Sequence, residues 1–319
     1  MTTTYKRLYN STVNAFPKAG KTIWWLLKII LPISFSVSLL QYWGIIALIA
    51  TYLTPAFSLI GLPGESAIVF ISSIFLSLYA PIAIIATLPL DMREITILAV
   101  MCLITHNMII ETAIQKKTGS SAFVMFSLRV TTSFIAAYLL NLMLPEQIGL
   151  THAVQENVVF TNYTDMLKSW FIGAGSLSLK IILIVTGLMI LQNVLKEFKI
   201  LDIISKIFAP LMRVFGLSAE SSFLWFVAQT LGLTYGSAVI IEEVERNEIS
   251  HYDANLLNYH IAINHSLLED TLLFVAIGVP AGWMIAPRLV LAIVVVWVVR
   301  FLLRIKSSTK NRRALQNQA

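Results

Sequence analysis

Apolar residues in this chain come in runs of about twenty, enough for a helix to cross a hydrocarbon core. These runs occur in the same order twice. In the first half, residues 22–42 predict a span, 45–61 an interfacial helix, 65–89 a broken helical hairpin, 95–114 a further helix and 121–144 a closing span. Residues 172–195, 198–216, 220–241, 254–277 and 285–303 predict the same series again. Trp24 and Trp25 stand at one end of the first span, Tyr42 and Trp43 at the other. At 1.5 Å per residue these pairs are about 27 Å apart, close to a bilayer core whose two interfaces favour aromatic rings.

The repetition is visible in the letters. Pro55–Ser66 reads P-A-F-S-L-I-G-L-P-G-E-S and Pro210–Ser221 reads P-L-M-R-V-F-G-L-S-A-E-S. Both fit P-x5-G-L-x-x-E-S, 155 residues apart, and Leu27–Leu31 matches Leu179–Leu183 ahead of them. Internal repeats of this kind mark a duplicated architecture. Pro81 in the first hairpin aligns with Gly236 in the second, so the break is predicted at those positions. Non-helical backbone at membrane depth survives only inside protein or beside water.

Composition makes the membrane reading firm. The chain is 57% hydrophobic and only 13% charged, against about 25% charged in soluble domains. The net charge of +6 lies at segment ends rather than in a nucleic-acid-binding patch, so no nucleic-acid partner is expected. Lys6, Arg7, Lys18 and Lys21 place the N-terminus in the cytoplasm, and Arg304, Lys306, Lys310, Arg312 and Arg313 place the C-terminus there too. Residues 130–167 hold no Lys or Arg, which puts the central linker outside. Each half then crosses an odd number of times, and the two copies are inverted. The interfacial helices agree: 45–61 has no Lys or Arg, whereas the second with its lead-in carries Lys196, Lys199, Lys206 and Arg213.

The expected organisation is therefore all-α and integral to the membrane, with two inverted repeats, each holding spans, an interfacial helix and a broken re-entrant helical hairpin. Residues 1–20 form a cytoplasmic segment, 21–144 the first repeat, 145–165 an extracytoplasmic linker, 166–305 the second repeat and 306–319 a basic cytoplasmic tail. No cleavable signal sequence is recognisable, and the single cysteine, Cys102, excludes an intramolecular disulfide framework.

Two sets of polar residues recur inside the apolar background. Glu65-Ser66 and Glu220-Ser221 open the two hairpins. A carboxylate at a helix N-terminus is favoured by the helix dipole, so capping alone would explain them. Yet residues 29–92 contain no Lys or Arg, and acids inside a membrane usually serve a function. The second set is His106-Asn107 followed by Glu111, and Asn264-His265 followed by Glu269 and Asp270. At an offset of 158, His106 meets Asn264, Asn107 meets His265 and Glu111 meets Glu269. Spacing of four puts Asn107 with Glu111, and His265 with Glu269, on one helix face. Such groups suit solute binding, proton relay or cation ligation, but polar residues also glue membrane helices together. The candidate solute-binding residues are Glu65, Ser66, Glu220, Ser221, Asn107, Glu111, Asn264, His265, Glu269 and Asp270. Candidates for a metal are His106, His265 and Glu269, without an H-E-x-x-H motif or paired cysteines to support them. Phosphate-binding glycine loops and nucleophile elbows are absent, so neither an enzyme nor a cofactor is expected.

The paired P-x5-G-L-x-x-E-S elements, each set between a span, an interfacial helix and a broken hairpin, resemble a tandem nucleoside-recognition (Gate) domain membrane protein over roughly residues 20–305. Similar families are the spore-maturation A and B membrane proteins, the membrane part of the ferrous-iron permease B family and, more distantly, the concentrative nucleoside transporters. The resemblance implies hairpins meeting at a central solute site, with the hairpin-opening acids, here Glu65 and Glu220, holding the solute. This chain is shorter than the nucleoside transporters and lacks the iron permease's GTPase domain. The expected function is secondary transport of a small polar or anionic solute, nucleoside-like solutes included, with a coupling proton or cation, in the plasma (bacterial inner) membrane. A divalent-metal permease and a non-transport membrane assembly or spore-maturation factor are the alternatives. Lipid is the expected environment, and a homo-oligomer is left open.

Overall fold

The computed structural model describes residues 3–148, 162–246 and 248–316. Most of the linker expected over 145–165 and the last residues of the expected tail fall outside that range. The described residues are helical, without a strand. The first half comprises α1 (Thr3–Val13), α2 (Ala15–Tyr42), α3 (Ile45–Ser58), α4 (Ser66–Phe75), α5 (Tyr79–Ile85), α6 (Met92–Thr105), α7 (Met108–Lys117) and α8 (Ala122–Met143). The second comprises α9 (Tyr163–Glu197), α10 (Ile200–Val214), α11 (Ser222–Glu245), α12 (His251–Ile263), α13 (Glu269–Val275) and α14 (Ala281–Gln316). Among the described residues, five stretches are long and apolar enough to cross a membrane: Thr4–Tyr42, Met92–Lys117, Ala122–Met143, Tyr163–Leu195 and Ala281–Ile305.

The opening spans of the two halves, α2 and α9, pack side by side. Trp170 Nε1 donates to Ser34 Oγ at 3.1 Å, and the rings of Tyr42 and Tyr163 meet at 6.2 Å. At the other end Arg7 on α1 pairs with Glu197 at 2.8 Å, and Lys18 reaches Asn193. These partners run in opposite order along the two helices, so α2 and α9 are antiparallel. Of the expected segment 1–20, the described residues form α1 and the start of α2.

The repeated P-x5-G-L element is a helix stop. Gly61 and Gly216 both have φ of +74°, the left-handed conformation that glycine adopts without steric cost. Leu62 N–H bonds to Phe57 O and Leu217 N–H to Met212 O, while each glycine N–H reaches back three residues. Both pairs form the Schellman arrangement that satisfies the last carbonyls of α3 and α10. Glu65 and Glu220 follow at the start of the next helix without a side-chain capping bond.

Buried helices α6 and α12 form the centre. α6 is enclosed on every side from Ile95 to Thr105, as expected of a helix apolar all round. Asp91 caps α6 with a reciprocal capping box through Glu94, and Ser250 caps α12 through Asp253 N–H. These caps are 159 residues apart.

Both central helices end at a break, where the sequence predicts continuous helices over 95–114 and 254–277. α6 stops at His106, Asn107 takes φ +48°, and α7 begins. α12 stops at Asn264, Ser266 takes φ +50°, and α13 begins at Glu269. The hairpin helices break alongside them, between α4 and α5 at residues 76–78 and within α11 at Gly232. These breaks lie about a turn before Pro81 and Gly236, the positions the sequence indicates. Pro81 instead sits in the first turn of α5, where a missing N–H removes no helical bond.

The breaks cross and exchange backbone hydrogen bonds. Asn107 N–H donates to Ser73 O at 3.1 Å and Leu76 O at 3.0 Å. Ser266 N–H donates to Ala228 O at 3.0 Å, and Leu268 N–H to Gln229 O at 3.3 Å. Ser73 and Ala228 are the same position in the 155-residue register, and Asn107 and Ser266 are the same in the 159-residue register. Gly232 has φ 71° and ψ 170°, a region essentially reserved for glycine. A Cβ there would lie 2.6 Å from Ser266 Oγ. Gly232→Ala should therefore destabilise the protein by about 1–3 kcal/mol from backbone strain alone. Adding Ser266→Ala should relieve only the contact. Unfolding in detergent micelles checks this, and a neutral Gly232→Ala would contradict the crossing.

Candidate functional site

The helix breaks bring charged side chains into the middle of the apolar core. His106 and His265 each end a central helix, and each directs Nδ1 at the carbonyl four residues back, Cys102 O at 3.2 Å and Ile261 O at 2.6 Å. The two imidazoles lie 5.0 Å apart, centroid to centroid. Glu111, on the first turn of α7, places Oε1 3.3 Å from His265 Nε2 and 3.6 Å from His106 Nε2. Asp270, on the first turn of α13, places Oδ2 3.2 Å from His106 Nε2. Each histidine thus faces a carboxylate from the opposite half.

Two arginines support the cluster from the closing spans. Arg129 on α8 is fully buried and pairs with Glu111 Oε2 at 2.7 Å. It also donates to Ile104 O at 2.6 Å and His106 O at 2.7 Å, carbonyls left free where α6 ends. Arg288 on α14 is equally buried and donates to Met284 O, Thr271 Oγ1 and His265 O. The halves are similar but not identical: Arg129 binds its carboxylate directly, whereas Arg288 binds Thr271 beside Asp270.

These contacts correct the register expected from the sequence. The structural correspondence is 159, not 158, so His106 matches His265, Glu111 matches Asp270 and Arg129 matches Arg288. Asn107 matches Ser266, both with positive φ. An offset of 158 pairs unlike neighbours because Asn and His occur in both orders beside the breaks.

Of the residues expected at the site, Glu111, His265 and Asp270 converge with His106. Asn264 adjoins them, fully buried, and its Oδ1 and Nδ2 find no partner among the described residues. Its carbonyl accepts from Gln229 Nε2 at 2.6 Å. Glu269 points elsewhere, to Gln192 on α9 at 3.3 Å and to Tyr79 on α5. Asp270, not Glu269, therefore joins the histidines as a potential ligand. His106, His265 and Asp270 offer ligand atoms within 4.8 Å of one another. Asn107 contributes its backbone to the crossing. Glu65, Ser66, Glu220 and Ser221 are not brought to the cluster. Glu220 is exposed, Ser221 bonds to Ser218 at 2.9 Å, and α4 puts Glu65 about 15 Å from the break at 1.5 Å per residue. Gln229, Arg129 and Arg288 lie beyond what sequence reasoning identified. The available signal was the equal interval of 23 from each histidine to an arginine in the closing span.

A buried ion pair costs several kcal/mol per ion in desolvation. Here the ion pair with Glu111 and the two donations from Arg129 to backbone carbonyls offset that cost, and removing one partner strands the other. Arg129→Met should destabilise the protein by about 3–5 kcal/mol, and Glu111→Gln added to it should recover part of that loss. A double-mutant cycle of unfolding free energies checks the coupling; additive single effects would contradict it.

The nucleoside-recognition (Gate) family model matches residues 23–144 and 178–294. The chain is also 32% identical over 278 residues to "Uncharacterized membrane protein YvoD" of Bacillus subtilis (strain 168), covering 86% of this chain and 88% of that protein. No solved structure matches significantly. The two matched regions hold the two crossed sets of broken helices, and the chain belongs to the Gate family of membrane proteins.

Proposed function

We propose that the protein is a secondary transporter of a small polar or anionic solute in the plasma membrane of a bacterium, with both termini cytoplasmic. The observation that carries this reading is the crossing itself. Broken helices meeting between two structural repeats are where membrane carriers build their binding sites. Ionisable residues at such depth are costly and generally functional. The antiparallel run of α2 and α9, equivalent helices of the two halves, supports an inverted arrangement and alternating access by one half rocking against the other.

The solute contacts in this proposal are the polar groups left without partners around the crossing. Asn264 Oδ1 and Nδ2, Gln229 Oε1 and Thr112 Oγ1 are all buried, and none has a hydrogen-bond partner among the described residues. An unmade buried hydrogen bond costs about 1–3 kcal/mol, which a hydroxyl- or amide-bearing solute would relieve. The family description names nucleoside recognition, and nucleosides carry such groups, so they are the first class to try. A coupling cation would supply the driving force. Glu65 and Glu220 are assigned to the approaches to this site.

The test is uptake of radiolabelled uridine and adenosine into proteoliposomes. Uptake by the native protein is expected, with loss of at least about tenfold in Asn264→Leu, as a removed pair of buried hydrogen bonds implies. Glu65→Gln and Glu220→Gln should reduce uptake by a smaller factor. Unchanged uptake in Asn264→Leu would remove the crossing from the path, and unchanged uptake in both Glu variants would remove those acids from it.

A further inference from the structure

Buried acceptor atoms without a hydrogen-bond partner, His265 Nε2 and Asp270 Oδ2, converge at the crossing beside His106 Nε2 and Glu111 Oε1. A carbonyl oxygen only accepts, so the contacts to Cys102 O and Ile261 O place a proton on Nδ1 of each histidine. In the neutral ring Nε2 is then a lone pair. Those two lone pairs face Glu111 Oε1 and Asp270 Oδ2 at 3.2–3.6 Å. The arginines do not intervene, because Arg129 holds Glu111 through Oε2 and Arg288 is spent on carbonyls and Thr271. Lone pairs pressed together in a dry core repel one another, and a cation between them is the natural remedy.

The spacing says which cation. A tetrahedral ion bound at about 2.0–2.1 Å requires ligand atoms about 3.3–3.4 Å apart. His106 Nε2 and Asp270 Oδ2 lie 3.2 Å apart, close to that value, and His265 offers a ligand atom within 4.8 Å of both residues. Two imidazoles with one carboxylate suit a first-row divalent ion. Calcium wants six to eight oxygens and magnesium an octahedron rich in water, and neither fits a dry site with two nitrogens. Outer support is also present: each histidine is oriented by a backbone carbonyl, as ligands of metal sites commonly are.

We propose that His106, His265 and Asp270 supply three ligands of a tetrahedral binding site for a first-row divalent metal ion, the ligands coming from both halves of the protein. Such an ion ties the halves together at their point of contact. Metal binding goes beyond the transport reading and stands apart from it, because it is measured on protein in detergent and needs no flux.

The experiment is titration of the chelator-stripped, full-length protein with Co2+, followed by displacement with Zn2+. One Co2+ per chain is expected, with the intense visible bands of a tetrahedral centre. His265→Ala and Asp270→Asn should each weaken binding by roughly 100-fold or more, at least the loss seen when outer-shell partners of metal ligands are removed. His251→Ala, at an exposed histidine, should leave binding unchanged. If a ligand variant does not fold, X-ray absorption of the Co2+-loaded native protein decides, with two imidazole donors and a carboxylate oxygen expected. No Co2+ uptake, a six-coordinate oxygen shell, or equal binding in folded His265→Ala would overturn the site. Loss of uridine uptake with Co2+ binding intact would sink only the transport reading.

Discussion

Four helices interrupted at one depth would strand backbone N–H and C=O groups in an apolar interior, and the whole arrangement depends on how these groups are satisfied. An unmade backbone bond in such surroundings costs several kcal/mol. The protein solves this by crossing the breaks. Asn107 N–H serves Ser73 and Leu76, Ser266 N–H serves Ala228, and Arg129 caps the carbonyls of Ile104 and His106. Each break is thus satisfied by another break or by a closing span. None of the segments is stable alone in this form, which couples the hairpin, the central helix and the closing span within each half.

The same crossing joins the halves to each other. His106 meets Asp270, and His265 meets Glu111, each pair linking one half to the other. The supporting arginines are equivalent by position but not by contact, since Arg129 holds its own carboxylate and Arg288 holds a neighbouring hydroxyl. The two similar halves thus sit in slightly different arrangements at the centre of the molecule. Packed interfaces switch between discrete arrangements rather than deforming smoothly, and in the proposed rocking of one half against the other these roles would exchange. The polar atoms of Asn264 and Gln229 lie beside it, where a change in packing would be felt first.

Much of the architecture was legible in the sequence. The twofold order of apolar runs gave the helical membrane fold, and hydrophobicity alone sufficed because central helices such as α6 are apolar on every face. The P-x5-G-L-x-x-E-S match revealed the duplication, but its chemistry is that of a helix stop followed by a helix start: a left-handed glycine, a leucine bonding back, then an acid near the next N-terminus. Its acids therefore stand apart from the cluster. The residues of the buried cluster follow a second register, 159 instead of 155, because the intervening segments differ in length. A single-residue error in that register hid the match of Glu111 with Asp270 and let Glu269 take its place. The breaks at Asn107 and Ser266 were also illegible. Neither residue is glycine; Asn tolerates the left-handed region and Ser rarely adopts it, and tertiary hydrogen bonds to the hairpin helices hold both there.

The most direct test is an experimental density map of the protein in a lipid nanodisc, at a resolution that shows side chains at the crossing. In that map α6 and α12 should end at His106 and Asn264, with His106 facing Asp270 and His265 facing Glu111 across the two halves. Unbroken helices through residues 106 and 265, or imidazoles turned toward lipid, would contradict it.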